Sequence, residues 1–141
     1  MKALLISTIA FLLIISACSK KEEKLEVINA EAFAYDLGNG WEVDGSARVK
    51  GFKQTEKDNK YTAKISYNID LVKPDGDTVK SIAAKTEDKE NDEAFIDVPV
   101  DIQFDLDTTY NYGDYKVIFN IKDVETGKTA STSATFKLQK E

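Results

Sequence analysis

The chain has 141 residues, 42% hydrophobic and 31% charged, with no histidine, one cysteine and one methionine. Without histidine it has no common general base near neutral pH, no Ser-His or Cys-His nucleophile pair and no imidazole metal ligand. The hydrophobic content is too high for a disordered chain, and the length suits one folded domain. We therefore expect a single non-catalytic domain that requires no cofactor.

The first 17 residues have the pattern of a secretory signal peptide. Lys2 precedes the uncharged run 3–17, whose 15 residues are fewer than the about 20 that a membrane-spanning helix needs. The run leads into the tetrapeptide ISAC at residues 15–18. This tetrapeptide resembles the bacterial lipoprotein signal, which implies that residues 1–17 are removed and that acylated Cys18 anchors the chain to a lipid bilayer. An uncleaved anchor helix and an ordinary secretory signal are the alternatives.

Residues 18–25 are predicted to be the lipidated cysteine and a short polar tether. Removing the signal leaves 18 basic and 25 acidic side chains, a net charge of −7, which argues against nucleic acid as a partner. Ser19 resembles the residue at this position in lipoproteins sent to the outer membrane. Lys21-Glu22-Glu23 resembles the export signal of some surface lipoproteins, although a plain solvated tether has the same composition. We expect an outer-membrane lipoprotein, at the periplasmic or the surface face.

Alternation of apolar and polar residues, the pattern of half-buried strands, dominates the remaining chain. It predicts an all-β domain at 26–141. Pro99 interrupts one strand, which predicts that this strand is an edge, is bulged or breaks there. In the same segment the alternation places Ile96 on the apolar face. Seven strands are predicted, at Leu25–Tyr35, Val43–Phe52, Tyr61–Leu71, Thr78–Thr86, Ile96–Leu106, Tyr115–Ile121 and Ala130–Leu138.

The sixth predicted strand has the most specific local pattern. The segment 111–117, NYGDYKV, resembles the strand in immunoglobulin-like domains that carries the tyrosine corner. The resemblance implies a seven-stranded immunoglobulin-like or fibronectin type III-like β-sandwich. It also implies that Tyr115 bonds to the backbone of the preceding corner and that Val117 lies in the core. The chain lacks a cysteine pair, and Trp41 precedes the second strand instead of lying in the third.

Aromatic residues at or near turns are the first candidates for a binding surface. Exposed rings in such positions can contact a protein or a glycan. A tryptophan beside a strand start is also typical of a core position, and corner tyrosines are often structural. The candidates are Trp41, Phe52, Tyr110 and Tyr112.

Aspartates at turns and along the fifth predicted strand are the second group of candidates. Calcium takes six to eight oxygen ligands, which such side chains can supply. Their spacing lacks the loop of an EF-hand, and alternating aspartates are also typical of a solvated strand face that discourages aggregation. The residues are Asp75, Asp77, Asp101, Asp105, Asp107 and Asp114.

Three functional hypotheses follow from these patterns. The first is a membrane-anchored envelope lipoprotein whose sandwich is a non-catalytic binding or structural module. The second is a calcium-dependent or glycan-binding module similar to a lectin. The third is an accessory subunit of an envelope complex. The partner in each case is an envelope protein or a glycan, and no residue pattern identifies it.

Overall fold

Eight β-strands form within residues 23–140, the part of the chain that the computed structural model describes. Seven of them overlap the seven predicted segments. The prediction of seven strands is wrong by one, because it omits a three-residue strand of exposed side chains, which has no apolar alternation to detect. The strands are β1 (Glu26–Asp36), β2 (Trp41–Lys50), β3 (Thr55–Lys57), β4 (Lys60–Val72), β5 (Thr78–Asn91), β6 (Val98–Leu106), β7 (Gly113–Asp123) and β8 (Thr129–Leu138).

The extra strand β3 is half of a tight hairpin with the start of β4. Lys57 pairs with Lys60, so only Asp58 and Asn59 connect the two strands. Both have positive φ, 53° and 60°, as a type I′ turn requires. Aspartate and asparagine tolerate this conformation better than most residues.

The strands form two antiparallel sheets that pack together as a β-sandwich. One sheet has the order β1-β2-β6. The other contains β4 between β5 and β7, with β8 beyond β7 and the short β3 also beside β4. The all-β fold class predicted from the alternation is therefore confirmed.

The core lies between the inner faces of the two sheets, where β2, β4, β6 and β7 place their apolar residues. Val43, Ile69 and Phe119 are completely buried there. Gly45 provides the space that the side chains of Ile102 and Phe119 occupy. A Cβ at Gly45 would lie 2.9 Å from Ile102 Cγ1 and 3.2 Å from Phe119 Cζ, so its absence lets the isoleucine and the phenylalanine approach the backbone of β2.

Strand β6 begins two residues later than predicted. Ile96 is 90% exposed, so its predicted place on the apolar face is wrong. Its neighbour Phe95 packs inward instead and meets Phe52 at a centroid distance of 6.1 Å. The Gln54 amide holds Phe95 by two hydrogen bonds, accepting from its N–H at 2.8 Å and donating to its carbonyl at 3.0 Å.

Pro99 is the second residue of β6, which is an edge strand paired with β2. At this edge the proline breaks no inner ladder.

The two ends of the sandwich are distinct. The N-terminal end contains the start of β1, and Leu25 is already buried there. Gly51, with φ of +73°, faces the Lys24 carbonyl oxygen so closely that a Cβ would lie 2.0 Å from it. The opposite end, called the far end below, contains the β1–β2 turn, the β4–β5 loop and the β6–β7 loop. At about 3.3 Å per residue, the 11 residues of β1 separate the two ends by about 35 Å.

Candidate functional site

A cleft of about 430 Å³ opens at the far end of the sandwich, between the β1–β2 turn and the β6–β7 loop. It is called the far-end cleft below. Trp41, Tyr110 and Tyr112 all line it. Three of the four aromatic candidates from the sequence therefore converge on one cleft, although 69 residues separate the first two.

The β1–β2 turn brings Trp41 to the cleft. The Asp36 carboxylate accepts the Gly38 N–H at 2.7 Å, and the Leu37 N–H donates to the Gly40 carbonyl at 2.9 Å. Gly40 has a φ of +145°, and a Cβ there would lie 2.5 Å from the Leu106 carbonyl oxygen. Glycine therefore lets the turn approach the end of β6, which positions Trp41 as the first residue of β2.

Trp41 and Tyr112 form an aromatic pair with unequal exposure. Their rings meet edge to face, with centroids 5.8 Å apart and planes at 84°. Trp41 is only 8% exposed, whereas Tyr112 is 58% exposed. Trp41 therefore belongs to the floor of the cleft and cannot offer an open ring face, while Tyr112 forms an accessible wall.

The indole N–H of Trp41 is buried without a hydrogen-bond partner among the described residues. An unpaired buried donor costs about 1–3 kcal/mol. Most buried polar groups in folded proteins are paired, so an exception calls for an explanation. The donor has almost no accessible surface, so an acceptor atom of a bound partner would offset this cost only if the side chains that cover the indole move.

The β6–β7 loop that carries Tyr110 and Tyr112 is held by its own hydrogen bonds. The Asp107 carboxylate accepts the Thr109 N–H at 2.9 Å and also the Thr109 hydroxyl. These two bonds hold the pKa of Asp107 below its usual value. The Tyr110 N–H donates to the Asp107 carbonyl at 3.2 Å. The tyrosines therefore project from a braced loop, which reduces the ordering that a binding event requires.

Tyr115 is a buried residue that supports the β6–β7 loop. Its hydroxyl donates to the Asn111 carbonyl at 2.8 Å, which is the bond that the tyrosine-corner prediction requires. Its ring stacks on Phe136 with centroids 5.4 Å apart and meets Tyr110 at 6.4 Å. Burial raises the pKa of Tyr115. Tyr115 thus connects the core to the cleft loop.

The six aspartates considered for calcium lie in separate places. Asp75 and Asp77 both pair with Lys73 in the β4–β5 loop, where the Lys73 ammonium lies 3.6 Å and 3.4 Å from their carboxylates. Asp101 and Asp105 are on the exposed face of β6. Asp107 is held by Thr109, and Asp114 is exposed near the start of β7. Within residues 23–140 no group of three or more acidic, histidine or cysteine side chains is arranged to hold a metal ion.

Several sequence predictions fall outside the cleft. Phe52 is buried at the N-terminal end and forms no part of a surface. The predicted signal peptide 1–17, Cys18 and the tether as far as residue 22 lie outside the described residues. No helix within residues 23–140 is long and apolar enough to span a membrane.

Two exposed aromatic residues were not singled out from the sequence. Phe33 is 55% exposed and Tyr35 is 51% exposed, both on β1. Small and large side chains alternate in the segment AFAY at 32–35, and the structure turns the alanines inward and the rings outward.

No protein-family model matches the chain, and no curated protein matches it. The chain is similar to a solved structure described as "X-ray structure of Northeast Structural Genomics Consortium target SoR45", with 14% identity and a TM-score of 0.43. The alignment covers 86% of this chain and 93% of that one. No function follows from a similarity of this size.

Proposed function

We propose that this protein is a lipid-anchored bacterial envelope protein whose β-sandwich is a non-catalytic binding module. The anchoring part rests on the uncharged run 3–17, the tetrapeptide at 15–18 and the single cysteine, Cys18. Cys18 lies only a few residues before Leu25, which is buried in the core of the domain. A tether this short keeps the sandwich beside the bilayer.

We assign the sandwich to the immunoglobulin-like group, in its fibronectin type III-like form. The Tyr115 bond to the backbone of the preceding corner supports the group. The place of β5 supports the form, because β5 pairs with β4. In antibody constant-type domains the strand that corresponds to β5 belongs instead to the sheet that contains the first two strands. Folds of this group serve many functions, so the function has to be argued from the site.

The far-end cleft is the proposed contact surface. The observation that carries the proposal is the buried, unpaired indole N–H of Trp41 beside the exposed ring of Tyr112. Tryptophan and tyrosine are enriched among the residues that dominate binding at the centres of protein interfaces. The cleft lies about 35 Å from the start of the 11-residue β1. A domain anchored at its N-terminus therefore presents the cleft away from its own bilayer, toward another envelope component.

The anchoring part is tested with Cys18→Ser and metabolic labelling with a fatty acid. We expect the variant to remain an unlabelled precursor of higher mass, because the serine hydroxyl cannot replace the cysteine thiol as the acyl acceptor. Tyr112→Ala is the matched control and is expected to mature normally. Normal maturation and labelling of Cys18→Ser would contradict the lipoprotein assignment.

The binding part is tested by photocrosslinking in intact cells. A photoreactive amino acid replaces Tyr112 at the cleft and, as a control, exposed Lys57 at the N-terminal end. We expect a discrete crosslinked product from position 112 that is absent from position 57. A protein adduct identifies an envelope subunit as the partner, and a glycan adduct identifies a lectin-like module. Equal products from both positions, or none from 112, would contradict the proposal.

A further inference from the structure

The outer face of the three-stranded sheet carries an unusual set of side chains. The part of this face nearest the far end consists of three rows across β1, β2 and β6, defined by the strand register. It is called the acidic face below. The rows are Tyr35–Glu42–Asp105, Phe33–Asp44–Gln103 and Glu31–Ser46–Asp101.

The five carboxylates of these rows are Glu31, Glu42, Asp44, Asp101 and Asp105. Among the described residues none of the five takes part in an ion pair within 4 Å, and the rows contain no lysine or arginine. Among the described residues, the cations of this face lie nearer the N-terminal end, where Arg48 pairs with Asp97 and Lys50 pairs with Glu26. The contrast with β5 is marked, because Asp88 and Glu90 there pair with Lys64 and Lys60.

The arrangement of the carboxylates costs the free domain stability. Glu42 stands directly opposite Asp105 across the β2–β6 pair. Like charges in directly opposite positions of an antiparallel pair are destabilising. A cation placed between the two strands would relieve this repulsion, so the face favours a positively charged partner.

Exposed apolar groups accompany the charges. Phe33 and Tyr35 are about half exposed, and Leu37 continues the line at 53% exposure. A depression of about 400 Å³ lies beside Phe33, bounded by Asp44, Ser46 and Asp101. The small Ser46 side chain creates space in the middle strand, between the phenyl ring and the carboxylates.

We propose that the acidic face docks an extended, lysine- or arginine-rich polypeptide segment. Its cationic ends would contact Glu42, Asp44 and Asp105, and one cation would lie over the Phe33 or Tyr35 ring. The aliphatic stems of lysine and arginine would cover the apolar line. The proposal does not depend on the far-end cleft or on Cys18.

Other occupants fit the face less well. A second copy in a symmetric dimer would place the same face against itself, bringing carboxylates together. An anionic lipid surface or a nucleic acid would be repelled. A metal ion is disfavoured because no three carboxylates converge within residues 23–140.

The test uses fluorescence anisotropy with the full chain in neutral detergent. The probe is a labelled peptide of alternating lysine and threonine, and the comparison peptide has glutamate in place of lysine. The variants are Asp44→Asn combined with Asp105→Asn, and Phe33→Ser. The matched control is Asp88→Asn combined with Glu90→Gln on β5, which removes the same charge from exposed positions.

We expect the lysine peptide to bind and the glutamate peptide not to bind. The Asp44 and Asp105 double variant should weaken binding about tenfold. Phe33→Ser should weaken it about fivefold, and the β5 control less than about twofold. Added salt should weaken wild-type binding, since exposed charges are screened.

Three results would overturn the proposal. Equal losses from the β5 control and the Asp44 and Asp105 variant would mean attraction to overall charge alone. Equal binding of the two peptides would mean that cations are not recognised. A concentration-dependent dimer of the wild type that Phe33→Ser abolishes, seen by sedimentation, would assign the face to a second copy. Thermal melts of all variants establish that each one is folded.

Discussion

Replacement of Tyr115 by phenylalanine tests the corner that supports the far-end cleft. The change removes one hydroxyl and its 2.8 Å bond to the Asn111 carbonyl. The ring contacts with Phe136 and Tyr110 remain. Tyr115 is 2% exposed, so water cannot replace the lost donor from the side of the ring.

The expected cost follows from the acceptor that is left behind. A buried carbonyl without its partner costs about 1–3 kcal/mol. The Asn111 residue is itself exposed, so we expect water to compensate part of this loss. We therefore expect Tyr115→Phe to lower the free energy of unfolding by about 1–2 kcal/mol.

Urea denaturation followed by circular dichroism measures this loss. The midpoint should fall while the dependence of the free energy on urea stays constant, because the buried surface is unchanged. Tyr35→Phe is the control, since Tyr35 is half exposed, and its change should stay within about 0.5 kcal/mol. Equal midpoints for the two variants would refute a stabilising role for the corner bond.

Alkaline pH provides a second readout of the same residue. Burial raises the pKa of Tyr115 in the folded state. The folded state therefore holds this proton more tightly than the unfolded state, whose pKa is about 10. Its contribution is complete below pH about 10 and is lost as the pH rises through the folded-state pKa. The Tyr115→Phe variant should lack this part of the alkaline decline.

Three further substitutions are measured by the same denaturation assay. The Ser81 N–H and the Lys80 ammonium, with other donors, lower the pKa of buried Asp70. The ionised Asp70 carboxylate therefore stabilises the fold above pH about 4, and this stabilisation is lost as the pH falls through the folded-state pKa. Asp70→Asn should flatten this acid decline, and an unchanged slope would contradict it. Gly45→Ala should cost about 1–3 kcal/mol through crowding, and increased stability would contradict it. Ile96→Ser should change stability by less than about 0.5 kcal/mol, whereas a larger loss would place Ile96 in the core.

The strand pattern was predictable where burial alternates strictly. In β4, Ile65, Ile69 and Leu71 are buried, as alternation from Tyr61 predicts. Strand β3 could not be predicted, because its three exposed residues follow no apolar period. Ile96 was misplaced because the Gln54 clamp on Phe95 joins residues 41 positions apart. Alternation describes one strand at a time and contains no information on such contacts.

Residues of the candidate site could be predicted from the sequence, but their contact with one another could not. Trp41 and Tyr112 stand near turns in the sequence, which singled out both. Their 5.8 Å contact depends on which turns share an end of the sandwich, and that depends on the pairing of distant strands. Phe33 and Tyr35 were not singled out, because the alternation does not say which face of β1 is buried. Here the alanines Ala32 and Ala34 point inward and the rings outward.

The central claim is that a partner occupies the far-end cleft against Trp41. The chain contains one tryptophan, so incorporation of fluorotryptophan gives a single fluorine NMR signal from position 41. Trp41 is 8% exposed and contacts Tyr112, so an occupant of the cleft changes its surroundings directly. With the partner captured from position 112, we predict a saturable shift of this signal that Tyr112→Ala weakens. Saturating binding that leaves the signal unmoved would contradict the claim.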